Sequence, residues 1–238
     1  MGGVHWELLA LSPPGWGGNL LRGLLSTIQI ALGAYALGLM IGLGGALGKI
    51  YGGPILRWSL EIYTTLIRAV PELVLILLLY YAGTDLLNQL LEGMGFERVD
   101  ISGLAAGIYV LGFVQGAYSI EVLRGAILAV PAGQIEAGAA FGMSWLQRHR
   151  RIVIPAMIPF ALPGLANLWL IVTKDTALLA VVGFGELALE TRQAAGATKS
   201  YFMFYVIAGA LYLCLSLVST VVFRWIEHHY RRGQPDQG

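Results

Sequence analysis

The sequence contains little charge: Asp, Glu, Lys and Arg make up only 12% of its 238 residues, whereas hydrophobic residues make up 57%. An average soluble domain has about twice this charged fraction, so the composition excludes an ordinary soluble protein and indicates an integral membrane protein. The chain has a single cysteine, Cys214, which excludes an internal disulfide. Glycine is abundant, as in tightly packed membrane helices.

Motifs of several enzyme classes are also missing. No Gly-x4-Gly-Lys-Ser/Thr phosphate-binding loop is present, so we expect that this chain does not bind or hydrolyse ATP itself. Its four histidines do not lie at metal-ligand spacing with cysteines, and no serine has the context of a nucleophile elbow. The sequence therefore predicts no catalytic residues, no metal site and no cofactor bound by this chain.

Five apolar segments are long enough to cross the roughly 30 Å of bilayer hydrocarbon as helices. The prediction is an all-α, polytopic membrane protein with spans at about residues 20–48, 59–83, 103–120, 156–182 and 201–225. The acidic segment 84–102 and the glycine-containing segment 183–200 are predicted loops. Glycines in the first span form a small-residue face, which predicts close packing against another helix.

Basic residues are concentrated at alternate ends of these spans. Lys49 and Arg57 follow the first span, and further arginines lie after the third and fifth spans. The positive-inside rule therefore places the N-terminus and the lead-in of residues 1–18 on the periplasmic side. It places the C-terminal tail of residues 228–238 in the cytoplasm.

The longest polar interruption, about residues 130–155, reads as two short helices with a bend between them. Gly142 ends the first helix, because a residue without Cβ adopts the left-handed conformation at no steric cost. Ser144 opens the second helix, and Gln147 completes a capping box. From pattern alone, an amphipathic helix at the membrane surface is an equally good interpretation.

The motif Glu136-Ala-Gly-Ala-Ala-Phe-Gly142, followed by Ile154-Pro155, resembles the EAA loop of permease subunits in binding-protein-dependent ABC importers. Three further motifs of the polar amino acid subfamily stand in the expected order, at Tyr63–Pro71, Ala117–Ala126 and Leu162–Leu178. Together the four motifs are far more specific than the loop alone. Among subfamilies, the sequence is most similar to permeases for histidine and basic amino acids (lysine, arginine, ornithine) and to their opine-transporting relatives.

This resemblance implies a type I ABC importer permease fold over residues 19–227. It implies translocation of a polar, basic amino acid or an opine across the bacterial inner membrane. ATP and Mg²⁺ would be used by a separate cytoplasmic ATPase dimer. The other implied partners are a periplasmic amino acid-binding protein, membrane lipid and a second permease, either a sister subunit or a second copy; no nucleic acid is expected.

The same resemblance assigns residues 130–155 to coupling with the ATPase, and this segment is called the coupling loop below. The residues expected to make or shape the contact are Glu136, Ala137, Ala140, Gly142, Arg148 and Arg151.

The second predicted span is unusual because it contains Glu61, Arg68 and Glu72. On one continuous helix the three side chains would share a stripe, and a charge at the bilayer centre costs at least about 2.5 kcal/mol. We therefore expect the stripe to face water or other charges, with a kink or break at Pro71. The alternative is that Glu61 and Arg68 lie near the membrane surface and extend to water.

Arg68 and Glu72 are the first candidates for the substrate path. Arg68 could bind an amino acid carboxylate and Glu72 a cationic group, with Asn167 and Lys174 as weaker candidates. Alternatively, Arg68 and Glu72 only neutralise each other across one helical turn.

Other function classes fit the sequence less well. An autonomous secondary transporter or channel is the main alternative, but such folds are usually built from paired repeats, and five spans without an inverted repeat argue against it. A membrane enzyme lacks a catalytic constellation.

Overall fold

The computed structural model describes residues 6–97 and 103–231. Residues 1–5 of the predicted lead-in and 232–238 of the predicted tail lie outside the described residues, whereas 228–231 of the tail belong to the last helix. This part of the chain forms helices joined by short turns. The α-helices are α1 (Gly17–Tyr51), α2 (Pro54–Ala69), α3 (Glu72–Gly93), α4 (Gly103–Leu128), α5 (Ala132–Ala140), α6 (Trp145–Arg148), α7 (Ile154–Asp175), α8 (Leu187–Thr198) and α9 (Tyr201–Arg231). A π-helical turn, His149–Val153, joins α6 to α7, and 3-10 helices occupy Trp6–Leu9 and Thr176–Val182.

Five helical segments in the described ranges are long and apolar enough to cross a membrane. They are α1, α3, α4, the continuous segment Trp145–Val182 that contains α7, and α9 up to Tyr230. The all-helical architecture with five spans is therefore confirmed, although several boundaries differ from those predicted. The third span, for example, continues to Leu128 instead of ending at residue 120.

The most extensive helix pair is α1 with α4, and glycines make it possible. A Cβ on Gly42 would lie 2.4 Å from the Cβ of Ser119, and one on Gly38 would lie 2.8 Å from the Cγ of Gln115. Contacts advance together along both helices, so α1 and α4 run parallel and end at the same face of the bundle. The small-residue face predicted from the sequence thus packs against another helix, as expected.

Helix α7 runs antiparallel to this pair and is joined to it through buried polar groups. Gln115 donates a hydrogen bond to the carbonyl of Leu168 (3.0 Å), and Tyr35 donates one to the carbonyl of Leu165 (3.0 Å). The apolar core nearby combines α1, α3, α4 and the 3-10 helix after α7, through Ile30, Ile76, Val110 and Leu179. Satisfying these polar groups internally matters because hydrocarbon offers them no partner.

The single helix predicted over residues 59–83 is wrong in its boundaries, because two helices replace it. α2 ends at Ala69, and Val70 and Pro71 are extended, with ψ of 139° and 135°. Pro71 disfavours helical backbone angles at the residue before it and has no N–H to donate. The helix is therefore interrupted at the position where a kink or break was expected. α3 then supplies the span and continues to Gly93, into the predicted loop.

The predicted loop 183–200 also contains a helix, α8. Gly183 adopts the left-handed conformation (φ 88°), as its role of breaker requires, and Glu186 then caps α8. The Glu186 carboxylate is fully buried and accepts hydrogen bonds from the N–H groups of Ala188 (2.9 Å) and Leu189 (2.8 Å) and from the hydroxyl of Tyr212 (3.0 Å). Burial raises the pKa of Glu186, while these hydrogen bonds oppose the rise.

Candidate coupling surface and translocation path

The coupling loop has the predicted bend. α5 ends at Ala140, and Gly142 has φ of +74°. The N–H of Gly142 bonds to the carbonyl of Ala139 (2.9 Å) and that of Met143 to the carbonyl of Gly138 (3.1 Å), the hydrogen-bond pattern of a Schellman C-cap. The predicted capping box of α6 is confirmed as well, since Ser144 and Gln147 exchange hydrogen bonds of 2.9 and 3.4 Å.

One side of α5 packs against the protein and the other is free. Gly138 is buried on Ile152, where an added Cβ would come within 2.5 Å of the Ile152 side chain. The predicted contact residues Glu136, Ala137 and Ala140 are exposed. Phe141 beside them is 86% exposed, and the sequence reasoning did not select it. An apolar ring presented in this way is suited to burial against a partner.

The two arginines selected from the loop have different environments. Arg148 is half-buried against Gly138, and its Nε has no hydrogen-bond partner in the described part of the chain. Arg151 is exposed at an open depression that Gln147 and Arg150 also line. Arg151 is therefore available to a partner, whereas Arg148 also shapes the loop.

A polar cluster forms where the break between α2 and α3 meets α4 and α7. The hydroxyl of Tyr118 on α4 donates to Oε1 of Glu72 at 3.5 Å. The carboxyl group of Asp175, at the end of α7, interacts electrostatically with that of Glu72. Glu72 and Asp175, called the acidic pair below, are both half-buried. Two carboxylates in one site repel each other unless a proton or a cation lies between them.

Two cationic side chains lie at the border of the acidic pair, but among the described residues neither forms a salt bridge with Glu72 or Asp175. Arg68 is exposed at the end of α2 and interacts electrostatically with Tyr118, and exposed Lys174 does so with Asp175. Among the described residues, Arg68 and Glu72 form no ion pair, because the helix break removes the one-turn spacing on which mutual neutralisation depended. Asn167 is exposed about two turns before Asp175 in α7.

Sequence reasoning missed Tyr118 and Asp175 as site residues. Both lie inside the motifs that carried the family resemblance, so their position in those motifs was the available signal. Nothing in their spacing along the chain indicates that they meet Glu72, because three different helices bring them together.

Glu61, the remaining charge of the predicted stripe, belongs to a separate network. Lys49 at the end of α1 donates to Glu61 (2.7 Å), to Thr64 on α2 (2.7 Å) and to Glu121 on α4 (2.6 Å). Arg124 also binds Glu121, at 2.9 and 3.2 Å. The Lys49 side chain is only 3% exposed, and three acceptors satisfy its three N–H groups.

A comparison with protein families decides what this arrangement belongs to. The model of the binding-protein-dependent transport system inner membrane component matches residues 34–232. The chain belongs to this family. It is therefore the permease subunit of an ABC importer, which confirms the prediction from the four motifs and replaces the alternative of an autonomous transporter. The family implies an ATPase and a substrate-binding protein as partners.

Individual relatives are permeases of amino acid or opine transport systems. The histidine/lysine/arginine/ornithine transport system permease HisQ of Escherichia coli (strain K12) is 42% identical over 92% of this chain and 96% of its own length. The octopine permease OccQ of Rhizobium radiobacter is 38% identical over 95% and 96%. The nopaline permease NocQ of Agrobacterium fabrum (strain C58 / ATCC 33970) is 39% identical over 97% and 98%.

Solved structures support the fold. A crystal structure of an amino acid ABC transporter with histidines matches with a TM-score of 0.75 and 28% identity, over 90% of this chain and 95% of the other. The methionine ABC transporter MetNI in an inward-facing conformation also matches with a TM-score of 0.75, at 20% identity over 92% and 99%. The latter likeness concerns the fold alone.

Proposed function

We propose that this permease translocates a cationic amino acid or an opine across the bacterial inner membrane. The observation that carries the proposal is the acidic pair: two carboxylates meet beside the break between α2 and α3. The relatives belong to transport systems named for histidine, lysine, arginine and ornithine, for octopine and for nopaline, which supports the same substrate class.

The charges of the cluster match those of a basic amino acid. A cationic side chain or α-ammonium group placed between Glu72 and Asp175 would relieve their repulsion. Arg68 or Lys174 at the border can bind the α-carboxylate, Arg68 through two parallel N–H groups. Tyr118 supplies a hydroxyl that can donate or accept. A substrate without a second cation would satisfy fewer of these groups.

The exposed side of α5, with Glu136, Ala137, Ala140 and Phe141, binds the cytoplasmic ATPase dimer, which itself holds ATP and Mg²⁺. Gly142 sets the angle of that surface, and the arginines of α6 and the π-helical turn border it. The loop face is cytoplasmic and the α8 end is periplasmic, as the distribution of basic residues indicates. A second permease, a sister subunit or another copy, completes the pore.

The test is uptake by the complete importer in proteoliposomes, with its own binding protein outside and ATP inside. Labelled arginine, lysine, histidine, ornithine and octopine are compared with glutamine and glutamate. We expect saturable, ATP-dependent uptake of one or more cationic substrates and little uptake of the neutral or acidic ones. Preferential uptake of glutamine or glutamate would overturn the substrate class.

A further inference from the structure

The last turn of α1 contacts the coupling loop through His149, a buried residue at the start of the π-helical turn. Its Nδ1 lies 2.8 Å from the carbonyl oxygen of Trp145, and its Nε2 lies 2.8 Å from the hydroxyl of Tyr51. The imidazole stacks on the Trp145 ring at 3.9 Å, and the Tyr51 ring meets both rings edge-on, at 5.0 and 5.5 Å. Tyr51, Trp145 and His149 are called the aromatic joint below.

The partners determine the direction of these hydrogen bonds. The carbonyl of Trp145 can only accept, so Nδ1 of His149 donates to it. In the neutral ring Nε2 then accepts from the hydroxyl of Tyr51. Both ring nitrogens are therefore used, one within the coupling loop and one toward α1. The joint connects two segments that are distant in sequence, in a turn type that is frequent at functional sites.

Two residues before Tyr51, Lys49 connects the same turn of α1 to α2 and α4 through Glu61, Thr64 and Glu121. α2 then ends at Ala69, directly before the break that precedes Glu72. The coupling loop is therefore hydrogen-bonded to the last turn of α1, and that turn is hydrogen-bonded to α2. The end of α2 in turn lies beside the acidic pair.

We propose that the last turn of α1 transmits movement of the coupling loop to α2, with Tyr51 and His149 as positioning residues on the loop side and Lys49 with Thr64 on the α2 side. The inference rests on the proposed function, since it takes the loop as the ATPase contact. If movement passes through the contact of Tyr51 with His149, the effects of substituting the two residues are not additive, and a double-mutant cycle measures this.

The experiment uses the complete importer in proteoliposomes and measures substrate molecules transported per ATP hydrolysed. Tyr51→Phe removes one hydroxyl and keeps the ring, while His149→Phe keeps the stacking and removes both nitrogens. We expect Tyr51→Phe to lower the transport-to-ATP ratio about fivefold, the effect of losing one hydrogen bond, and His149→Phe, which loses two, to lower it at least as much. The double variant should be no worse than His149→Phe alone, because the bond to Tyr51 is already lost there, and His149→Gln, which retains an acceptor, should recover part of the ratio.

A second trio with the same side chains is the matched control. Trp225, His229 and Tyr230 lie together near the end of α9, where His229 and Tyr230 are exposed. His229→Phe and Tyr230→Phe should leave the ratio unchanged. On α2, Thr64→Val should lower the transport-to-ATP ratio. Ser119→Ala, on the neighbouring α4, should leave the ratio unchanged. The buried hydroxyl of Ser119 has no hydrogen-bond partner among the residues that the structure describes.

The outcomes separate this inference from the proposed function. An unchanged ratio in Tyr51→Phe and Thr64→Val, or strictly additive losses in the Tyr51/His149 cycle, overturns the joint. Loss of ATPase copurification in these variants also overturns it, because the residues would then only support docking. Failure of the unmodified chain to copurify with an ATPase would instead reject the proposed coupling function, and uptake of a different substrate would reject only the substrate class.

Discussion

Glu72, the first residue of α3, and Asp175, the last residue of α7, bring their carboxyl groups together at the point where the second span is broken. Tyr118 donates a hydrogen bond to the same Glu72 side chain. Pro71 makes this meeting possible, because the interruption of the helix allows α3 to start beside α4 instead of continuing the direction of α2.

The acidic pair should determine substrate charge. Glu72→Gln and Asp175→Asn each remove one negative charge at nearly constant shape, so uptake of cationic amino acids should fall at least about tenfold, as for loss of a charge-assisted hydrogen bond. ATPase activity stimulated by the binding protein should largely remain. Asp85→Asn, an exposed acid elsewhere on α3, is the matched control. Uptake at the unmodified rate in both Glu72→Gln and Asp175→Asn would show that the pair only supports helix packing.

The left-handed backbone at Gly142 should be required for coupling. Valine, which is β-branched, is strained at φ of +74°, whereas asparagine tolerates this region. Gly142→Val should therefore lose most binding-protein-stimulated ATPase activity and Gly142→Asn should keep most of it, with normal membrane insertion in both. Equal activity of the two variants would mean that the bend does not set the docking surface.

The α1–α4 contact offers a test of packing. Gly42→Ala places a Cβ 2.4 Å from that of Ser119, and overpacking of this kind costs about 1–3 kcal/mol. Gly44→Ala, on the same helix with open space around it, should be neutral or slightly stabilising. Thermal unfolding of the two purified variants in detergent makes the comparison, and a similar midpoint for both would contradict the close approach of these helices.

Membrane orientation can be tested with single cysteines. Arg151→Cys should react with a membrane-impermeant thiol reagent only from the cytoplasmic side, and Glu97→Cys only from the periplasmic side. Both are made in a Cys214→Ser background, because the native thiol is exposed in the isolated chain. The opposite labelling pattern would reverse the proposed orientation and place the coupling loop away from ATP.

Local features of this protein could be predicted from the sequence because their causes act within a few residues. Long apolar runs with few charges require burial in lipid, which gives the five spans. A left-handed glycine and a capping box set the bend of the coupling loop, and Pro71 disrupts the second span. Glu72 does not continue the predicted stripe of Glu61 and Arg68, because the helix ends before Pro71 and Glu72 begins a new one.

Only the tertiary structure decided which polar groups meet. Lys49 binds acids on two other helices, Asp175 reaches Glu72, and His149 joins the coupling loop to Tyr51. Buried polar groups must find partners inside the protein, but any group of suitable charge or hydrogen-bonding capacity would satisfy that requirement. The choice among partners depends on how closely the helices approach and in which direction they run, and these properties come from packing across the whole bundle.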